Sequence, residues 1–107
     1  AGSGAVTVLP ATLRVASVVL RATSRGAEVT VATVDGAGRP VSRAALTLVV
    51  ELDGRRVARA RAVTGAAGKA RVLVPLGSGC YSVTVTRAIA QGFTWNGRTP
   101  RNRFCRE

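Results

Sequence analysis

ALTLVVEL (45–52), DG (53–54) and RRVARARAV (55–63) together decide the fold. Leu46, Leu48, Val50 and Leu52 fall on one parity and Thr47, Val49 and Glu51 on the other, the period-two pattern of a strand with one face turned to a core. Asp53-Gly54 suits the type I′ turn, whose twist matches that of the strands it joins. In the second arm Ala58, Ala60 and Ala62 face one way, while Arg55, Arg59 and Arg61 face the other with Val57, so the arginine side is read as solvated.

The same alternation recurs on either side of this hairpin. LRVASVVLRA (13–22), AEVTVATV (27–34), KARVLVP (69–75) and CYSVTVTRAI (80–89) read as strands, with a short one around Phe93 to Trp95, giving seven candidates. Between them lie DGAGRP (35–40), where Gly36 and Gly38 are free to take positive φ and Pro40 restricts the exit, then TGAAG (64–68) and LGSG (76–79). This spacing of short strands and turns predicts an all-β, two-sheet sandwich. Upstream, Ala5, Val6, Thr7, Val8, Leu9 and Pro10 form an eighth candidate after a Gly-Ser-Gly lead, dividing the chain into an extension, 1–11, and a sandwich, 12–107. The extra strand either extends the first strand with a kink at Pro10 or is donated to an edge of the next subunit by β-strand addition.

Composition narrows the roles. Of 107 residues, 16 are basic and 5 acidic, a net charge of +11 that draws the molecule toward anionic surfaces. Histidine and methionine are absent, Asp35 and Asp53 sit in expected turns, and Glu28 and Glu51 lie on solvated faces. No nucleophile has a base beside it and no carboxylate pair is spaced for hydrolysis, so neither catalysis nor a metal nor a cofactor is expected. The longest apolar run, Ala44 to Val50, is interrupted by Thr47 and falls well short of the roughly 18 residues of a membrane span. Two cysteines without CxxC spacing and without histidine point to a structural disulfide, Cys80–Cys105, in an oxidising compartment, hence to secretion. The opening Ala1-Gly2-Ser3-Gly4 without methionine fits removal of a signal peptide, the alternative being a domain excised from a longer protein.

If Tyr81, Val83 and Val85 face the core, Cys80 faces outward, and its disulfide pins the C-terminal tail across the outside of one sheet without bridging the two. Closing that loop of about 25 residues is worth roughly 3 kcal/mol on the chain-entropy estimate. Every aromatic residue, Tyr81, Phe93, Trp95 and Phe104, falls inside the stapled segment. For Phe93 and Trp95, which share parity, core packing is favoured over a platform for stacking a sugar or a base. For Lys69, the sole lysine, a solvated turn exit is favoured over an isopeptide crosslink. Arg98, Arg101, Arg103 and Arg106, with Arg55, Arg56, Arg59 and Arg61, make a candidate patch for teichoic acid, acidic polysaccharide or DNA. No RNA-recognition or helix-turn-helix signature accompanies it, so no dedicated nucleic-acid role is expected.

The run VTVATVDGAGRPVSRAALTLVV, followed by TGAAGKARV and GSGCYSVTV, resembles the bacterial immunoglobulin-like modules of invasin-type adhesins and of carrier domains in secreted proteins. The ending, CYSVTVTRAIAQGFTWNGRTPRNRFC, looks closer still to the C-terminal β-domains appended to secreted subtilisin-like proteases of Gram-positive bacteria. The resemblance covers about residues 27 to 105, and its shared residues are turn glycines, a turn proline and core positions, which speak to fold more than to function. The antibody pattern is not met, since Trp95 follows Cys80 and Tyr81 comes directly after that cysteine. The expectation is a secreted, immunoglobulin-like, non-catalytic structural or adhesive module at the bacterial cell surface. Its leading form is an extracellular filament subunit that partners itself head to tail. The alternatives are an accessory surface- or substrate-binding domain of a secreted protease and a module binding acidic glycan.

Overall fold

The computed structural model describes residues 11–74 and 78–106, the last of these by its backbone, and the candidate donor strand, residues 5–10, lies outside them. Eight strands follow in order: β1 (Ala11–Thr23), β2 (Gly26–Asp35), β3 (Ala45–Leu52), β4 (Arg55–Val63), β5 (Lys69–Val74), β6 (Gly79–Ile89), β7 (Phe93–Trp95) and β8 (Phe104–Arg106). They form two four-stranded sheets, β5-β2-β1-β7 and β4-β3-β6-β8, hereafter sheet A and sheet B. The chain crosses between sheets after β2, β4, β5, β6 and β7. The result is the all-β sandwich the sequence predicts, with the seven candidate strands between residues 13 and 95 in place and one more, β8, in the tail.

Alternation decides what the sandwich buries. Leu13, Val29 and Val31 of sheet A meet Leu46, Leu48, Val50, Val83 and Val85 of sheet B in a single apolar core. At about 25 cal/mol per Å² of apolar surface removed from water, this core is the main favourable term in folding. Asp53 and Gly54 have φ of 50° and 82°, the two positive values that a type I′ hairpin requires. In DGAGRP only Gly38 takes positive φ, at 84°; Gly36 does not, because the Asp35 carboxylate shapes this turn by accepting the N–H groups of Ala37 and Arg39. The Arg39 N–H, with that of Ala37, holds the Asp35 carboxyl below its ordinary pKa.

Two buried threonines tie the crossings together. Thr33 Oγ1 lies 2.9 Å from the carbonyl of Val41 and 3.2 Å from that of Gly68, while Thr64 Oγ1 donates to Val41 O at 2.8 Å and accepts the Ala44 N–H at 2.9 Å. The loop leaving β2 and the turn entering β5 are thereby fastened to one another inside the protein. Gly68 is required at this crossing: its φ is +72°, and a Cβ there would sit 2.7 Å from the carbonyl oxygen of Thr33.

The stapled segment closes one end. Tyr81 is buried and pairs in register with Phe104, while Phe93, Trp95 and Phe104 pack half-buried against the core. Phe93 and Trp95 share a face, as their parity requires, and that face is the core. The Trp95 indole N–H is buried without an acceptor among the described residues, a cost of about 1–3 kcal/mol that the ring's apolar burial must exceed. Cys80 and Cys105 are bonded directly across the β6–β8 ladder. The disulfide therefore lies within sheet B and does not bridge the sheets, as parity predicts, although the tail is held as an edge strand and is not laid across the outer face.

Ahead of β8, the connection from β7 guards the next part of the β6 edge by a different device. Asn102 Oδ1 accepts the Val83 N–H at 2.7 Å, and its Nδ2 donates to the carbonyls of Val83 at 2.8 Å and Pro100 at 2.9 Å. Thr99 Oγ1 accepts the Val85 N–H at 3.0 Å and donates to Val85 O at 3.4 Å. Side chains thus take the place of a ladder strand along an edge that would otherwise present bare backbone groups.

Candidate functional site

The outer face of sheet B carries the site, and a β-bulge builds it. In β6, Val85 pairs with Leu48 while Arg87 pairs with Thr47, so Thr86 is the extra residue of a register shift. Regular alternation from Tyr81, Val83 and Val85 would send Arg87 into the core. The bulge re-aims it: Thr86 and Arg87 are both exposed, Ala88 turns inward and is buried, and Thr86 Oγ1 reaches the carbonyl of Thr47 at 3.3 Å.

Arg87 then lies in one ladder row with Thr47 and Arg61, the two arginines flanking the threonine from β6 and β4. Two strand spacings separate them, about 10 Å, and Arg59 sits two residues along β4, about 7 Å from Arg61. Together with Ala45, Val63 and Ile89 these residues line a shallow depression of about 630 Å³. Ile89 and Val63 are exposed, at 50% and 63% of their surface, so the depression has an apolar end and a basic end. Thr84 continues the hydroxyl row toward the tail, opposite the buried Val49.

Among the described residues no carboxylate lies in this row. Asp35 is bound to its own turn, Asp53 Oδ1 accepts the Cys80 N–H, Glu28 lies on sheet A, and Glu51 stands opposite Arg56 and Ser82. The three guanidiniums present several N–H donors each beside hydroxyl groups, the chemistry that takes carboxylate, sulfate or phosphate oxygens in forked hydrogen bonds. Positive charge alone does not single out this face, because the outer face of sheet A carries Arg14, Arg21, Lys69 and Arg71. There, however, the register opposes Arg21 to Glu28 and sets Lys69 against Ala32 and Arg71 against Thr30, so no two cations flank a common hydroxyl. Lys69 is exposed, and its ladder partner is Ala32 and not a carboxylate.

The arginines read as one cluster in the sequence divide. Arg59 and Arg61 join the depression with Arg87, whereas Arg55 and Arg56 sit at the hairpin end of β4. Arg98, Arg101 and Arg103 are exposed on the connection from β7 to β8, and the side chain of Arg106 lies outside the described residues. Arg101 borders a smaller hollow beside Ser82 and Thr84, and Arg103 Nη2 approaches Cys80 Sγ at 3.5 Å. The tail arginines therefore border the same outer face from its opposite side. Arg87, absent from the sequence-level patch, has as its only signal the adjacent Thr86-Arg87 pair that interrupts an otherwise regular alternation.

Among the described residues no group of three or more His, Cys, Asp or Glu side chains is placed to hold a metal ion, and no helix is long and apolar enough to cross a membrane. Comparison with protein families, with characterised proteins and with solved structures finds no match to this chain.

Proposed function

We propose that this domain is a non-catalytic, extracellular adhesive module that holds an acidic polymer against the outer face of sheet B. The observation that carries the reading is the Thr86 bulge, which turns Arg87 outward to face Arg61 across Thr47 with no carboxylate among the described residues of the row. A row of cations two strands apart on a rigid sheet suits an extended polyanion, such as an acidic polysaccharide or teichoic acid, better than a compact ligand, because the depression is open and shallow. Adhesion of this kind serves a free surface subunit and a domain appended to a secreted protease alike.

Titration with polygalacturonate at about 0.1 M salt tests the reading, since charges on a solvated face are screened over roughly 10 Å. Arg61→Gln and Arg87→Gln each weaken binding by about tenfold, matching the loss of one charge-assisted hydrogen-bonded contact. The double variant shows less than the product of the two effects, because the residues engage one segment of polymer. Unchanged affinity in both single variants overturns the proposal.

A further inference from the structure

The four sheet edges are not equally defended. The β6 edge is covered by β8 and by the side chains of Asn102 and Thr99, β4 carries Arg55, Arg56, Arg59 and Arg61, and β5 carries Lys69 and Arg71. Charged side chains and covering segments are the usual means by which natural edges avoid pairing with another chain. On β1, by contrast, β7 pairs only with Ala11, Thr12 and Leu13, and Asn96 adds a single bond to the Leu13 carbonyl.

Ladder alternation shows what is left on that edge. Thr33 N–H points away from β1, to the carbonyl of Gly68, so Thr30, Ala32 and Glu28 of β2 are the residues that bond to β1, through Val19, Ser17 and Arg21. Val18, Leu20 and Ala22 then direct their backbone N–H and C=O groups outward, and no described residue lies against them. The stretch is apolar: Val18 and Leu20 pack on the core, and Val19 between them is 55% exposed. Arg21 is the only charged residue between Ser17 and Thr23.

We infer that this open stretch of β1 is an acceptor for residues 5–10 of a second copy of the chain, which add as a strand beside Val18–Ala22. The segment AVTVLP is uncharged, alternates in the period of a strand and, at about 17–20 Å when extended, is long enough to run beside Val18–Ala22. A fold-back of the molecule's own segment would fall short of it. Folding back from Ala11 through the shortest hairpin loop sets residue 8 opposite residue 11 and residue 5 opposite residue 14, short of Val18, and that position is already occupied by Phe93–Trp95. Pairing between copies is head to tail, because donor and acceptor are different surfaces, and it generates an open chain of subunits. Backbone pairing has to overcome repulsion between subunits of charge +11, so association strengthens with added salt.

Sedimentation of the full chain across a concentration series, at about 0.15 M and 0.5 M salt, tests this with amide hydrogen exchange read at the same concentrations. Self-association that rises with salt, accompanied by concentration-dependent protection of the Val18, Leu20 and Ala22 amides, is the expected result. Val6→Pro with Val8→Pro removes two ladder donors and weakens association by about tenfold or more, without altering the fold of residues 11–106. Val19→Lys on the acceptor edge does the same from the other side. A monomer at every concentration overturns the inference. So does association that survives the two proline substitutions, or that protects the edges of β4 or β5 in place of β1, since each assigns the contact to another surface.

Discussion

Asn102 takes the place of a strand on the β6 edge, and replacing it measures what that substitution is worth. The side chain makes three hydrogen bonds, one accepted from Val83 N–H and two donated to the carbonyls of Val83 and Pro100. At about 1 kcal/mol net for each, discounted because the site is only partly buried and water replaces some of the loss, Asn102→Ala costs about 2 kcal/mol. For a domain of this size that lowers the melting temperature by about 10 °C. Asn102→Asp sharpens the test: it keeps the acceptor for Val83 N–H but turns a carboxylate oxygen toward two carbonyls. Its folded-state pKa is raised by that repulsion, so its stability is highest below the unfolded value near 4 and is lost as pH rises through the folded value. Urea unfolding with the disulfide intact, followed by the fluorescence of Trp95, therefore shows Asn102→Asp at least as unstable as Asn102→Ala at pH 7 and recovering in acid. A loss below about 0.5 kcal/mol for Asn102→Ala, within the range of ordinary surface changes, or an Asn102→Asp variant with no pH dependence of its own, refutes the strand-surrogate account.

The remaining expectations concern the crossings. Thr64→Val matches the side-chain shape but strands the buried Ala44 N–H, costing about 1–3 kcal/mol in chemical denaturation, and Thr64→Ser recovers most of it. Gly68→Ala costs about 2 kcal/mol or more, because the positive φ and the approach to Thr33 O both oppose a Cβ. The same change at Gly36, where a Cβ meets open space, stays within about 0.5 kcal/mol of wild type. Asp35 has a lowered folded-state pKa, so its contribution is complete above its unfolded value near 3.9 and is lost as pH falls through the folded value. Asp35→Asn accordingly shows a shallower acid limb when melting temperature is followed below about pH 4.

Most of the fold was legible because its strands have clean parity and its turns carry residues with one conformational use. Asp53-Gly54 defined the hairpin, and the Tyr81, Val83, Val85 alternation placed Cys80 on the outside. What stayed hidden was tied to interruptions of that parity. The bulge at Thr86 redirects Arg87 through a register shift against β3, and the adjacent Thr86-Arg87 pair interrupts the alternation without fixing where the extra residue falls. The strand β8 is three residues long and exists because the disulfide and the Asn102 and Thr99 contacts hold the tail beside β6, so no local pattern announces it. The arginines were visible one by one, but their grouping was not, because Arg61 and Arg87 are neighbours only through Thr47.

The central claim is that the outer face of sheet B, and not net charge, binds acidic polymer. The most direct measurement compares two charge-matched variants, Arg59→Gln/Arg61→Gln/Arg87→Gln on sheet B and Arg14→Gln/Arg21→Gln/Arg71→Gln on sheet A, titrated with polygalacturonate between about 50 and 250 mM salt. The account predicts that the sheet B variant loses most of the affinity and flattens the salt dependence, while the sheet A variant stays close to wild type. Equal losses in the two variants contradict it.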